Sequence, residues 1–311
     1  MDARRFGLIS TKLHYFQLVA EFGSIRRAAH ALNVAPSVLS RSIRQIEADL
    51  DVQLFDRVSR RLKLTSAGET LLYHTRASAL ELGHALNFIQ DLKGLRGGTV
   101  SIAAIESVAR HAIPKVLGMF WRSHENVEVD IHVAGSTEAF ESVANGLHDL
   151  AVAFDVDVPR RARRLASCRM KLGALLRPDH PLAGNRSVTL RDFALEPILL
   201  AEPSLTLGRT IEIAAAAAGV DFRSRVVTNS IGALIELARS GQGVTFQTRV
   251  GVEPELESGR LVFVPLSDPN VKMRELLLVA RANSALPQAA SAVSRMLGEA
   301  LAKLDESDDV A

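Results

Sequence analysis

The chain of 311 residues is short of three things. It has one cysteine, Cys168. No disulfide can form within it and no cysteine cluster can hold a metal, which fits a reducing compartment. Cys168 reads as a small apolar residue. Aromatic residues make up 5%, too few for platforms that stack single-stranded nucleic acid. No apolar run approaches the roughly 18 residues a membrane span needs. The blandest stretch, 214–218, is all alanine and reads as helix. The opening MDARRFGLIS lacks the apolar core of a secretion signal. A cytoplasmic protein without a membrane partner is expected.

What is present is unevenly spread. The length argues for two or more domains. Apolar residues are 47% and charged residues 23%, enough for sizeable cores in an ordinary surface. The formal net charge of +2 conceals an asymmetry, because residues 1–65 carry 11 Lys/Arg against 6 Asp/Glu. A basic end on a slightly acidic body suggests a polyanionic partner for that end, although many basic surfaces are merely solvated.

The basic end reads as short helices with tight punctuation. Leu13, Phe16 and Ala20 recur at helical spacing after a Ser10 or Thr11 cap, and Gly23 closes that helix. Ser24 caps a second helix with Ile25, Ala28, Ala29 and Leu32 inside; its small alanines let another helix cross closely. After a turn at Asn33 and Val34, a third helix runs over 36–50. Leu39, Ile43, Ile46 and Leu50 form a stripe predicted to be buried. Ser37, Ser40, Arg41 and Arg44 fall on another face. Helix-turn-helix DNA binding requires such a face on its second helix; spacing alone fits an ordinary solvated face equally well. In 52–65, Arg57, Arg60, Arg61 and Lys63 alternate with Val58, Leu62 and Leu64, a short basic hairpin able to lie along phosphates.

A long helix follows over about 66–93. Leu71, Thr75, Ser78, Leu82, Ala85, Ile89 and Leu92 stand at heptad-like spacing. The seam predicts a dimerisation linker, with packing on its own chain as the alternative. Gly94, Gly97 and Gly98 end the helix and mark a hinge. Beyond them, strand-like runs at 100–105, 127–133, 150–154, 171–176, 197–200, 243–246 and 276–279 alternate with helical patterns, as in parallel α/β folds. The polar stretch 155–164, with Pro159 and arginines at 160, 161, 163 and 164, reads as a crossover between two subdomains. Residues 305–311 read as a frayed acidic tail.

Taken together, these residues resemble the LysR-type transcription regulators over nearly the whole chain. The run FQLVAEFGSIRRAAHAL from Phe16 is similar to the family's first two helices, and SVLSRSIRQIE from Ser37 to its recognition helix. Leu54-Phe55-Asp56-Arg57 and Leu64-Thr65-Ser66-Ala67-Gly68-Glu69 resemble the approach to the wing and the start of the linker helix. His180-Pro181-Leu182-Ala183, Ser240-Gly241-Gln242-Gly243-Val244 and Gly259-Arg260-Leu261-Val262 with Pro265-Leu266 resemble phrases of the sensing domain. Two departures stand out. Ala35-Pro36 replaces a frequent Ser-Gln pair, removing one usual base contact. Asp51 replaces a glycine at the recognition helix's end, where a left-handed backbone tolerates Asp at modest cost.

The resemblance implies an α/β chain in four parts: a winged helix-turn-helix (1–65), a linker helix (66–94), a two-subdomain effector-binding domain (95–304) similar to periplasmic binding proteins, and a tail (305–311). Subdomain I spans about 99–155 and 268–304, subdomain II about 165–265. Expected partners are double-stranded DNA, a small anionic effector, a second copy in a homodimer or homotetramer, and RNA polymerase. No cofactor or metal is expected. Ser37, Ser40 and Arg41 are assigned to base edges, and Arg44 and Arg60 to phosphates or a groove edge. In a two-lobed fold the ligand lies between the lobes, where helix N-termini favour anions. Ser107, Thr137, Ser204 and Thr248 are the effector candidates, although Ser and Thr also serve as plain helix caps.

Enzymatic motifs are missing: no Gly-x-Ser-x-Gly elbow, His-Glu-x-x-His, phosphate loop or dinucleotide fingerprint occurs. His111, His124 and His132 lack metal-ligand spacing, and Glu253 and Glu255 read as surface charge in a loop. An enzyme and a periplasmic solute-binding protein are the competing readings. Product turnover would reveal the first. The basic N-terminal module and the MDARRFGLIS opening argue against the second.

Overall fold

A computed structural model describes residues 10–58, 61–92, 97–154, 156–282 and 284–309. The chain divides into two compact units, residues 1–98 with 145–147, and the remainder.

In the first unit, α1 (Thr11–Phe22), α2 (Ile25–Leu32) and α3 (Pro36–Leu50) surround a core of Phe16, Val19, Ala28, Ala29, Leu39, Ile43 and Ile46. Each helix stops for a local reason. Gly23, Asn33 and Asp51 all adopt left-handed backbone at the ends of α1, α2 and α3, which turns the chain and satisfies end carbonyls. Ser24 caps α2 by accepting from Arg27 N at 3.4 Å, while Ser10 precedes α1 without a side-chain cap bond. Leu50 departs from the expected buried stripe: it is 50% exposed, because it is the last residue of α3 and overruns the small core.

The hairpin β1 (Phe55–Val58) and β2 (Arg61–Leu64) is antiparallel, with Phe55 opposite Leu64. Leu62 and Leu64 pack on the helical core. Glu47, on α3, ties the hairpin's approach down by accepting from Leu54 N at 2.9 Å. Thr65 Oγ1 donates to Gln53 O and accepts from Gly68 N, starting α4 (Ser66–Leu92). A Cβ on Gly68 would lie 2.2 Å from Leu54 O, so only glycine lets α4 cross here. Of the expected seam, Thr75 is buried and donates to Leu71 O, whereas Ser78, Ala85 and Ile89 are exposed. The expected glycine hinge is only partly described. Gly94 lies outside the described residues, and Gly97 and Gly98 open a strand instead of ending the helix.

The second unit has two five-stranded sheets. The first lobe's sheet runs β4 (Asn126–Val133), β3 (Gly97–Ala104), β5 (Leu150–Phe154), β12 (Arg274–Arg281), β6 (Ala162–Met170). Helices α5 (Glu106–Arg110), α6 (Ala112–Phe120), α7 (Ser136–Ala144) and α11 (Gln288–Asp309) accompany it. The second lobe's sheet runs β11 (Val262–Pro265), β7 (Gly173–Leu176), β10 (Val244–Gln247), β8 (Ile198–Ala201), β9 (Ser224–Thr228). Helices α8 (Thr206–Ala218), α9 (Ile231–Arg239) and α10 (Glu253–Glu257) belong with it. Each sheet mixes parallel pairs, β3 with β5 and β8 with both β9 and β10, with antiparallel ones.

Every one of the seven expected strand runs is a strand within a few residues. The expected crossover at 155–164 is not the crossing. Residues 162–170 form β6, paired antiparallel with β12 across its length, so they belong to the first lobe's sheet and the chain crosses at 171–172. The misreading has a physical cause. β6 is an edge strand, with Arg163, Arg164 and Arg169 exposed and only Cys168 and Met170 buried. Charged residues are common on edges because they discourage strand pairing with another chain, and there they imitate a loop. At the C-terminus, α11 continues through Asp309, into the stretch expected to fray.

Candidate functional site

Two surfaces carry polar chemistry, one in each unit. On α3, Ser37, Arg41 and Arg44 are exposed and Ser40 is half-buried. The opposite face holds Leu39, Ile43 and Ile46 in the core. Ser37, Arg41, Arg44 and Gln45 line a shallow depression. Arg44 Nε folds back to Ser40 O at 3.4 Å, and Gln45 donates to Asp49 at 2.8 Å. The helix therefore presents hydroxyls and guanidiniums to solvent from a rigid base, groups of the kind that can pair with base edges in a groove. Gln45 was missed by the sequence reading; its i,i+4 bond to Asp49 gives it a fixed place beside Arg41. Arg60 lies outside the described residues.

In the second unit a cavity of about 310 Å³ lies between the two lobes, at the lower end of the range for small-molecule sites. Three of the four effector candidates line it: Ser107 after β3, Ser204 after β8 and Thr248 after β10. Thr137 does not. It is exposed, and its neighbour Ser136 is the buried lining residue. At a helix start successive side chains diverge by about 100°, so a one-residue error turns a candidate away from the cavity. The apolar walls include Ile105, Val133, Phe154, Leu172, Leu205 and Leu207.

Three further polar groups on the wall were not anticipated. Gln247 is 3% exposed and its Nε2 has no hydrogen-bond partner. Arg274 donates to Thr210 Oγ1 at 2.6 Å, with its guanidinium 5.8 Å from the Phe154 ring centroid. Glu106 reaches from the first lobe to the N-terminus of α9, where Ile231 N and Gly232 N donate to its carboxylate at 2.7 and 2.9 Å and Ser230 Oγ at 3.1 Å. Nothing in the sequence near Glu106 signals that role, because its partners lie more than 120 positions away.

A second tie joins the lobes: Arg110 donates to Glu255 at 3.1 Å. This corrects the surface-loop reading of Glu253 and Glu255. Both stand on α10, Glu255 is buried, and burial pushes the Glu253 carboxyl above its usual range. Between these ties Gly251 has positive φ and passes so near Ser107 O that a Cβ would lie 2.5 Å from it.

A winged helix-turn-helix on one unit and a two-lobed domain around an interlobe cavity on the other define a ligand-responsive DNA-binding regulator. The comparisons agree in both parts. Residues 10–69 match the family model described as "Bacterial regulatory helix-turn-helix protein, lysR family", and residues 93–302 match "LysR substrate binding domain". The chain belongs to the LysR family of transcription regulators. It is 28% identical over 305 residues to a protein of Trichormus variabilis described as a probable RuBisCO transcriptional regulator, covering 96% of this chain and 90% of that one. A full-length OxyR variant of Pseudomonas aeruginosa shares the fold at a TM-score of 0.65 and 18% identity, covering 92% and 93% of the two chains. HinK, a LysR family regulator of the same organism, is 25% identical with a TM-score of 0.55, over 94% and 98%. The helix-turn-helix match sets aside the solute-binding reading.

Proposed function

We propose that this regulator reads a dyad-symmetric DNA site with α3 and answers to a small anionic effector held in the interlobe cavity. The observation that carries the reading is the polar face of α3, exposed above a buried apolar face. Ser37, Ser40 and Arg41 contact base edges, while Arg44 and Arg60 contact phosphates. Ser107, Ser204 and Thr248 contact the effector, with Ser136 taking the place of Thr137. The protein works in the cytoplasm as a regulator that contacts RNA polymerase, and it is not an enzyme.

A homodimer forms through α4, whose exposed Ile89 supports the reading, and tetramers through the sensing domains. In each lobe an edge strand carries exposed apolar side chains, Ile131 and Val133 on β4 and Val227 on β9. Such edges are favourable places for a second copy. The effector acts through unequal affinity for two assemblies on DNA. The test is a thermal-shift screen of small anions, followed by footprinting and DNA-bending assays with each stabilising anion. The expected result is a change of bend angle or half-site spacing. An anion that binds the cavity and leaves footprint, bend and oligomeric state unchanged contradicts the proposal.

A further inference from the structure

Three helices of eight residues or more, α7, α8 and α9, begin at the wall of the cavity, but their N-termini are not equivalent. The end of α9 already holds an anion, the Glu106 carboxylate, with two backbone N–H groups and the Ser230 hydroxyl upon it. The partial positive charge of that helix end is spent on the chain's own side chain. The first turn of α7 carries Glu138, itself on the wall. The end of α8 has no side-chain cap, since Leu205 stands at its N-cap position, and Ser204, Leu205 and Thr206 all line the cavity.

The register of the sheet puts Gln247 at this same end. β8 and β10 are parallel neighbours with Thr245 opposite Leu199. Gln247, two residues on, is therefore level with Ala201, where β8 ends and the chain turns into α8. Its buried Nε2 donor has no partner, a costly condition that an arriving acceptor relieves. Arg274, the one cation among the described lining residues, donates to Thr210 on α8. A single seat for a negative group thus gathers at α8. The remainder of the cavity carries apolar side chains, the uncharged polar groups of Ser107, Ser136, Asn229 and Thr248, and the carboxylates of Glu106 and Glu138.

We propose that the effector is a small monocarboxylate with an apolar body, its carboxylate seated between Gln247 Nε2, Arg274 and the start of α8, and that Glu106 acts as the residue that rejects a second anionic group. This rests on the reading of the cavity as the effector site.

The experiment uses the full chain and carboxylic acids in matched pairs of one carbon skeleton: hexanoate with adipate, and 4-methylbenzoate with terephthalate, at millimolar concentration. Binding is read by thermal shift and calorimetry on the wild type, Glu106→Gln and Gln247→Leu. The wild type should favour the monocarboxylate of at least one pair. Gln247→Leu should lower that affinity about tenfold or more, as expected for losing a donor to a charged group, while its ligand-free melting temperature is unchanged or higher because an unpartnered buried donor has been removed. Glu106→Gln should narrow the gap between monocarboxylate and dicarboxylate about tenfold. Preference of the wild type for the dicarboxylates would overturn the proposal and leave an anionic effector standing. So would full affinity in Gln247→Leu. A panel in which no monocarboxylate binds overturns it as well; if other anions then bind the cavity, the anionic-effector reading survives, and if none does, both fail.

Discussion

The polar face of α3 and the polar wall of the cavity are built in opposite ways. On α3 the working groups stand in water on one rigid helix, and the side chains that hold it in place lie on its far face. In the cavity, Ser107, Ser136, Gln247 and Thr248 are each 5% exposed or less and come from both lobes. An exposed guanidinium keeps its hydration until DNA arrives. Its contribution is largely electrostatic and falls with salt. A buried donor has lost its water on folding, so a ligand acceptor restores what burial removed. On the proposed reading, the α3 face is accordingly tunable one residue at a time with little effect on the fold, whereas each cavity group couples binding to stability.

The largest effect expected from this contrast lies beneath α3. Phe16 is fully buried and packs against Phe55 at 5.5 Å between ring centroids. Phe16→Ala should cost about 3–5 kcal/mol and abolish DNA binding, as measured by hydrogen exchange in α1–α3 and by anisotropy with duplex DNA. Retained DNA affinity would mean that α3 does not depend on that core. Ser230→Ala removes both the cap of α9, which accepts from Ala233 N, and a donor to Glu106. A loss of about 1 kcal/mol is expected in denaturant titration. Arg44→Ala should leave stability unaltered and reduce the salt slope of DNA binding by about 1. A stability loss comparable to that of Ser230→Ala would erase the distinction between the two surfaces.

The smallest effect is one of pH. Burial, with the neighbouring His132 second, holds the His148 imidazole below its ordinary value of 6.5. The folded state then binds fewer protons than the unfolded one, so this group's contribution is present above about 6.5 and is lost as pH falls from there toward the lowered folded value. His148→Gln should flatten that part of the stability profile measured by urea titration. An unchanged slope would show that His148 is not the group responsible.

Much of the first unit was legible because its determinants are local. The stripe of Leu39, Ile43 and Ile46, the stops at Gly23 and Asn33, and the polar face of α3 all follow from spacings within one or two turns, while the stop at Asp51 was legible only through the resemblance to the family. Leu50 misled because periodicity does not say where a core ends. The cavity was legible only in outline. Ser107, Ser204 and Thr248 follow strands, and strand ends are where ligands gather in such folds. Gln247 and Glu106 were not legible. Gln247 is the last residue of an apolar strand, and Glu106 finds its partners across the cavity. β6 was hidden by the arginines of an exposed edge.

Selection of bound duplexes from a randomised pool, with the wild type and with Arg41→Ala, tests most directly whether α3 reads bases. The wild type should enrich a dyad motif. Arg41→Ala should bind that motif about 1–3 kcal/mol more weakly and lose preference at one position of each half-site. If Arg41→Ala enriches the same motif with undiminished preference, weakened equally on every sequence, then Arg41 binds backbone only and the account of α3 as the reading element is contradicted.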